Sequence, residues 1–465
     1  MTTSSLSAFS DELWQALRGW HAPSPEDHPW QRLALFVPGA SLRSSLNRVL
    51  LIGLEALDRE DAQAAQMLRL RFADEMTAQR LANRLNVVEG TIYKWQRQAV
   101  EQLGELLWQL EMDACAGRQR QLASRLPPAT YTQLYGVEDH LAALRTLLLT
   151  PGPPWLVAVE SLGGMGKTAL VDALCRSLIN RGELADLAWV TAQQQHLTLG
   201  GHLQSSQRPA LTPAELILAL SQQLLAGDPD FSTLTQARKE ERLALRLQTK
   251  PHLLVVDNLE TAQDAQAILG HLRGWTNPTK CLITTRHSLL SQADIFHYVL
   301  PELEPKEALA LLRHEAQLRN LPEMVAAEES ALLSIYDLVG GNPLALRLVV
   351  GQLHVYPLPV VLADLRSAQS SAVTALYTHI YWQAWQALDE QSRQVLLAMP
   401  LVVPDGGDLD LLLSITGQPA SQLRDSLSLL ASRNLVDIRG GLHQRRYSIH
   451  SLTRSFLHQQ VLRWG

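Results

Sequence analysis

The pattern of apolar and polar residues changes twice along the chain. From residue 1 to about 126 the spacing is helical throughout, and the pair Pro127-Pro128 ends that region. Between Trp155 and Leu300, short apolar runs alternate with amphipathic helical stretches, and the helical pattern returns from Pro305 onward. The apolar runs are WLVAVE, LAWVTA, HLLVVD, KCLITT and FHYVL. Strands that are apolar on both faces and separated by helices are typical of a parallel sheet covered on both sides, so the sequence predicts an α/β middle with all-α flanks.

Composition and charge exclude several classes of protein. The 465 residues correspond to roughly three or four domains, and the net charge of −6 gives no overall attraction to nucleic acid. The three cysteines are far apart, and no group of Cys and His has the spacing of a zinc site. The N-terminus lacks the apolar run of a signal peptide, and the most apolar stretch, 338–365, is interrupted by prolines and an arginine. We therefore expect a cytoplasmic protein that does not cross a membrane.

A glycine-rich loop follows the first predicted strand. The segment SLGGMGKTAL lies between that strand and a predicted helix, which is the context of a P-loop. Glycines let the backbone N–H groups face phosphate oxygens, and the start of the helix adds a favourable dipole. The first glycine of the full motif is replaced by Ser161, which we expect the loop to tolerate. The predicted nucleotide-binding residues are Gly163, Gly164, Met165, Gly166, Lys167, Thr168 and Ala169, with Lys167 at the β- and γ-phosphates and Thr168 on Mg²⁺.

Two further polar positions follow predicted buried strands. Asp257 ends HLLVVD, at the carboxyl end of a strand, where an acid can hold Mg²⁺ through water. Arg286 follows KCLITT and can contact the γ-phosphate, although a surface arginine after a strand is the simpler interpretation of that segment alone. The residue after Asp257 is Asn258, which cannot act as a base. We expect catalytic roles for Lys167, Asp257 and Arg286, and slow hydrolysis of ATP.

Seven ordered motifs from about residue 130 to the C-terminus resemble the NB-ARC ATPases of the STAND class, a family of bacterial regulators, plant disease-resistance proteins and apoptosome proteins. The motifs are LYGVEDHLAAL, SLGGMGKTAL, LAWVTA, HLLVVDNLE, CLITTRH, GGNPLALRLV and YSIHSLTRSFL. The resemblance implies that Tyr135, Gly136 and Val137 pack on the adenine, as does Pro343. It also implies that His450 contacts the β-phosphate of ADP. The aspartate that follows this histidine in the family is replaced by Ser451, which implies a weaker closed form.

The resemblance also implies a domain arrangement. A P-loop domain with a doubly wound parallel sheet would occupy residues 130–300, a small helical domain 301–365, and a winged helix 372–465. Exchange of ADP for ATP would open these domains and allow self-association. The family's usual C-terminal repeat sensor does not follow the winged helix here, so we expect either a separate sensor or effector protein or a truncated form of a longer chain.

The N-terminal module, residues 1–126, contains a second resemblance. Apolar residues at Leu81, Leu85, Ile92 and Trp95 have helical spacing, with a short break at 86–89, as in a helix-turn-helix. The segment 61–110 resembles the DNA-binding region of sigma factors. That resemblance implies DNA contacts from Thr91, Tyr93, Lys94, Gln96 and Arg97. Residues 78–98 carry four basic residues against one acidic residue, but the whole module carries 14 against 15, so docking to protein remains an alternative to DNA binding.

Three functions fit these observations. The first is a signal-transducing ATP/ADP switch whose output is the N-terminal module, in transcription regulation or defence. The second is an ATPase of the AAA+ type that does mechanical or loading work on DNA or protein. The third is a DNA-binding regulator in which nucleotide controls only the oligomeric state. Asn258 and the motif around His450 favour the first.

Overall fold

The computed structural model describes residues 3–23, 25–37, 39–192, 195–197, 203–205, 211–228, 230–353, 356–367, 385, 388–403, 406–433, 435–439, 444–449, 453 and 457. The chain divides into two compact units, residues 1–123 and 124–465. Among the described residues, no helix combines the length and the apolar character needed to cross a membrane.

The first unit is helical. Its helices are α1 (Thr3–Arg18), α2 (Leu42–Glu60), α3 (Ala62–Leu68), α4 (Ala78–Leu85) and α5 (Glu89–Ala123), and a π-helical turn (Arg69–Ala73) follows α3. The helices share one apolar core, and α2 approaches α5 so closely that a Cβ on Gly53 would lie 2.5 Å from Leu107 Cγ. The buried Glu111 carboxylate accepts the backbone N–H groups of Ala34 and Leu35, at 2.7 and 3.0 Å.

The predicted break between two helices lies where α4 ends and α5 begins. Asn86 takes a left-handed conformation (φ 53°) at the end of α4, a backbone that asparagine tolerates better than most residues. Only two of the four apolar residues with helical spacing are buried: Leu81 and Ile92 lie in the core, whereas Leu85 and Trp95 are exposed. The second helix of the motif is not a short recognition helix but the first turns of a helix of 35 residues.

The second unit contains a parallel sheet with the strand order β2-β5-β6-β1-β7. Its strands are β1 (Leu156–Glu160), β2 (Leu187–Thr191), β5 (Leu253–Asp257), β6 (Lys280–Thr285) and β7 (Ile295–Val299), and a small antiparallel pair, β3 (Gln195–Leu197) and β4 (Leu203–Ser205), follows β2. All five apolar runs therefore form strands of one sheet, as predicted. Helix α6 (Glu138–Leu149) precedes the sheet, and the helices between its strands are α7 (Lys167–Asn180), α8 (Pro213–Leu224), α9 (Gln236–Thr249) and α10 (Ala265–Trp275).

The strand order determines which loops meet. Because the strands are parallel, the segments after β1, β5 and β6 all leave the same edge of the sheet. Strand β6 lies between β1, which leads into the P-loop, and β5, which ends in Asp257. The residue that follows β6, Arg286, is therefore held between the two other predicted parts of the site.

Helices and one hairpin complete the unit. The segment after the sheet forms α11 (Pro305–Leu318), α12 (Pro322–Val325), α13 (Glu329–Val339), α14 (Pro343–Leu353) and α15 (Leu358–Ser367). Toward the C-terminus follow α16 (Glu390–Ala398), α17 (Leu409–Thr416), α18 (Ala420–Ser432), β8 (Asp437–Arg439) and β9 (Arg446–Ser448). Among the described residues from 388 onward, three α-helices precede an antiparallel hairpin, and the assignment of this part to a winged helix stays a prediction. The boundaries proposed for the individual domains stay predictions.

Candidate nucleotide-binding site

The P-loop, residues 161–166, connects β1 to α7. Gly164 and Gly166 have φ values of +83° and +90°, so these two positions need glycine for their backbone alone. Ser161 is outside the left-handed region, which explains why the loop accepts a serine where the full motif has glycine. A buried strand and a helix thus fix the two ends of a loop whose glycines are used where the backbone requires them.

Lys167 is buried at the mouth of this loop. Its ammonium group donates to the carbonyl oxygens of Ser161 and Leu162, at 2.8 and 2.9 Å. Burial is the main reason why the pKa of Lys167 falls to about 8; the Glu260 carboxylate opposes this shift, the Arg286 cation adds to it, and the Asp257 carboxylate opposes it. A buried ammonium group that donates to neutral carbonyl oxygens is well suited to an anionic ligand.

Asp257 accepts hydrogen bonds from three threonines. The hydroxyl groups of Thr168 and Thr284 lie 2.7 Å from Oδ1, and that of Thr191 lies 3.0 Å from Oδ2. The side-chain amide of Asn258 adds a fourth bond to Oδ2, at 3.0 Å. Burial raises the pKa of Asp257, and the three hydroxyl bonds oppose that shift. Thr168 and Asp257, the two residues predicted to hold Mg²⁺, are therefore in direct contact, and the Asn258 amide also bonds the carboxylate.

Arg286 is paired with Glu260. The Glu260 carboxylate accepts the backbone N–H of Arg286 at 3.1 Å, and its other oxygen lies 3.2 Å from Arg286 Nε. The guanidinium also lies against the P-loop, since a Cβ on Gly163 would be 3.3 Å from Arg286 Nη1. Glu260 is a site residue that sequence reasoning did not assign, because its spacing from Asp257 did not show where its carboxylate points.

The next residue, His287, has three cations around it. Burial lowers its pKa to about 4, and the charges of Arg433, Arg286 and Lys167 contribute in that order. Arg433 follows α18, so the C-terminal part of the second unit brings a positive charge near the phosphate site. No sequence motif pointed to Arg433. The residue predicted to act from this part of the chain, His450, lies outside the described residues.

Of the residues predicted to pack on the adenine, Tyr135 and Gly136 lie beside α11, and Pro343 lies at the start of α14. The ring of Tyr135 is 5.8 Å from that of His314 on α11, and a Cβ on Gly136 would lie 3.0 Å from Glu307 Cγ. Burial, and then the charge of Glu315, raises the pKa of Tyr135. Pro343 opens α14, the position at which a missing N–H is tolerated. Val137 and Ala169 are half-buried and Met165 is buried.

The predicted DNA contacts belong to the first unit and need one correction. Gln96 is buried, and its side-chain oxygen accepts from Arg71 Nε at 3.3 Å, so it cannot contact DNA. The helical periodicity that turns Ile92 inward also turns Gln96 inward one turn later. Lys94 and Arg97 are exposed, and Arg97 forms an exposed ion pair with Glu101.

The parallel sheet, the P-loop and the acidic residue at the adjacent strand end define a P-loop ATPase fold. Residues 137–321 match the model of the NB-ARC domain, and this segment of the chain is an NB-ARC domain. The five strands of the parallel sheet, the P-loop, Asp257 and Arg286 lie within that segment, whereas the motifs that contain Pro343 and His450 lie beyond residue 321.

Curated proteins similar to this chain include plant proteins from Arabidopsis thaliana. Disease resistance-like protein DSC1 is 26% identical over 232 residues, covering 48% of this chain and 17% of that protein. Disease resistance RPP8-like protein 3 is 23% identical over 241 residues, covering 50% of this chain and 24% of that protein. The chain thus spans about a quarter or less of the length of these relatives.

Two solved structures are similar over a larger share of the chain but only weakly. A STAND protein with a tetratricopeptide repeat sensor from Pyrococcus horikoshii has a TM-score of 0.33 and 13% identity, covering 72% of this chain and 43% of that one. A chain from the structure of Drosophila ORC bound to DNA has a TM-score of 0.34 and 18% identity, covering 74% of this chain and 99% of that one.

Proposed function

We propose that the chain is a molecular switch whose ATP-bound and ADP-bound forms differ in the arrangement of the parts of its second unit. The observation that carries this proposal is the convergence of three groups at one sheet edge: the buried Lys167 ammonium, the Thr168–Asp257 contact and the Arg286–Glu260 pair. Each of these groups already has a protein partner. Nucleotide phosphates would compete with the carbonyl oxygens for Lys167 and with Glu260 for Arg286. This competition would make the site a switch rather than a simple binding pocket.

The residues present fit Mg²⁺. Within the described residues no group of three or more His, Cys, Asp or Glu side chains is placed to hold a metal ion by itself. Mg²⁺ in nucleotide sites needs fewer protein ligands, because phosphate and water supply the others. The Thr168 hydroxyl and the Asp257 carboxylate provide two hard oxygen donors side by side. When bound there, Mg²⁺ would neutralise charge on the β- and γ-phosphates.

Arg286 supplies the difference between the two nucleotides. A γ-phosphate near the P-loop would attract the guanidinium away from Glu260, whereas ADP has no such group. A ligand shifts a conformational balance only by its different affinity for the two forms. We expect slow hydrolysis, because the Asn258 amide occupies the position beside Asp257 and cannot accept a proton.

The names of the disease-resistance relatives support a role in defence signalling or in regulation. We further propose self-association in the ATP form and output through the first unit. An AAA+-like motor is the second candidate. Turnover at the rate of a motor would favour the motor, whereas ADP retained through purification would favour the switch.

Lys167→Ala tests nucleotide binding directly. We expect the full chain to bind a fluorescent ADP with Mg²⁺, and the variant to lose at least tenfold in affinity, since about 1.4 kcal/mol corresponds to a factor of ten and a charge-assisted contact exceeds it. Above pH 8 the parent should also lose affinity, because Lys167 with a pKa of about 8 then loses its charge. Equal affinity of parent and variant would remove the proposal.

DNA binding by the first unit remains a separate proposal that depends on Lys94 and Arg97, with Thr91 and Tyr93 beside them. Much of the surface around the turn is apolar, with Val88 74% exposed and Trp95 41% exposed. A small basic group on such a surface would give weak binding that depends strongly on salt.

A further inference from the structure

The start of α14 is attached directly to the P-loop. The side chain of Asn342 is fully buried, and its Nδ2 donates to the carbonyl oxygen of Gly163 at 3.0 Å and lies 3.5 Å from Met165 Sδ. The backbone N–H of Leu344 donates to the carbonyl oxygen of Gly164 at 3.2 Å. Two successive peptide units of the loop are therefore bonded to one helix start.

The other end of the Asn342 amide faces its own helix. Its Oδ1 accepts the backbone N–H groups of Leu344 and Ala345, at 3.1 and 3.2 Å, and so caps α14. The orientation of the amide is unambiguous, because a flipped amide would place oxygen against the Gly163 carbonyl and NH₂ against two N–H donors. Asparagine meets both demands with one side chain, since it carries an acceptor and a donor.

These bonds determine where the loop's N–H groups point. A trans peptide unit is planar, and its C=O and N–H point in opposite directions. The Gly163 carbonyl shares a peptide unit with the Gly164 N–H, and the Gly164 carbonyl shares one with the Met165 N–H. Because both carbonyls point toward α14, both N–H groups point away from it.

We propose that Asn342 is a positioning residue for phosphate: by bonding the Gly163 carbonyl from behind, it holds the N–H groups of Gly164 and Met165 toward the bound polyphosphate. The inference rests on the nucleotide-binding function proposed above. Gly341 supports the same arrangement, since its carbonyl accepts the Leu303 N–H at 3.0 Å and a Cβ on it would lie 2.0 Å from the Leu303 carbonyl oxygen. The segment that contains Asn342 is thereby attached to the chain that enters α11.

Asn342→Asp separates the two roles of the side chain. A carboxylate still accepts the two N–H groups that cap α14 but cannot donate to Gly163. We expect the full-length variant to bind fluorescent ADP with Mg²⁺ about tenfold or more weakly than the parent at pH 8, since a buried carbonyl loses its donor. Below the pKa of the new carboxyl group, which burial raises, a protonated carboxyl can donate again. The ratio of parent to variant affinity should therefore return toward one at about pH 5.5.

Two controls separate positioning from loss of folding. Asp264→Ala removes the cap of α10, where Asp264 accepts the Ala267 N–H at 2.9 Å, and should leave ADP affinity unchanged. Amide hydrogen exchange at Gly164 and Met165 should rise in Asn342→Asp at pH 8 and not in Asp264→Ala. Parental affinity in Asn342→Asp at pH 8, or a loss of equal size at both pH values, would overturn the inference while Lys167→Ala still tests the function. Failure of the parent to bind ADP would contradict both the positioning role of Asn342 and the proposed nucleotide-binding function.

Discussion

Gly164→Ala measures how closely α14 packs against the P-loop. The position combines two costs. Its φ of +83° is left-handed, which costs a residue with a Cβ roughly 1–2 kcal/mol. The added Cβ would also lie 2.8 Å from both Asn342 Oδ1 and Leu344 Cβ, and overpacking of a well-packed site costs roughly 1–3 kcal/mol. We therefore expect Gly164→Ala to lower the free energy of unfolding of the second unit by about 2–5 kcal/mol in total.

Gly182→Ala is the matched control. Gly182 is also left-handed, with a φ of +68°, but a Cβ added to it would have no heavy atom within 4 Å. It should therefore show only the backbone cost of about 1–2 kcal/mol. Hydrogen exchange in peptides that cover β1 would give the opening free energy of the second unit in parent and variants. Equal losses in the two variants would show that Asn342 and Leu344 do not pack against the loop as described.

Acidification should destabilise the second unit through His287, whose folded-state pKa of about 4 lies below its ordinary value of 6.5. As the pH falls, the histidine of the unfolded chain takes up a proton before the buried histidine does. The contribution of neutral His287 to the free energy of unfolding is therefore complete above about pH 6.5 and is lost toward pH 4. The free energy of unfolding changes by at most about 1.4 kcal/mol per pH unit over this range. Urea midpoints for the parent and His287→Gln should converge as the pH falls over that range, and parallel curves would contradict the assignment. In the first unit, Lys94→Ala combined with Arg97→Ala should weaken DNA binding at low salt and reduce its salt dependence. The same charge removed from the far part of α5, in Arg118→Ala with Arg120→Ala, should have a smaller effect, and equal effects would exclude a specific site at the turn.

The sequence by itself determined the elements of the nucleotide-binding part and the order of its polar groups. Five apolar runs became the five strands, and Lys167, Thr168, Asp257 and Arg286 follow the strands as expected. These features depend on local pattern and on the general rule that parallel strands end at one edge. The glycine loop was recognisable for the same reason, since Lys167 contacts carbonyls only five and six residues away.

Only the tertiary structure decided which side chains act on those groups from a distance. Asn342 lies 179 residues from Gly163 in sequence, and its partner was set by the packing of α14 against the loop. Glu260 was visible near Asp257, but its contact with Arg286 depended on how β5 and β6 lie side by side. In the first unit, periodicity alone did not distinguish the buried Gln96 from the exposed Trp95, because the position of the neighbouring helices decides which face of α5 is covered. Local pattern specifies an element and its apolar face, whereas contacts between elements depend on their relative placement, which burial of the whole core determines.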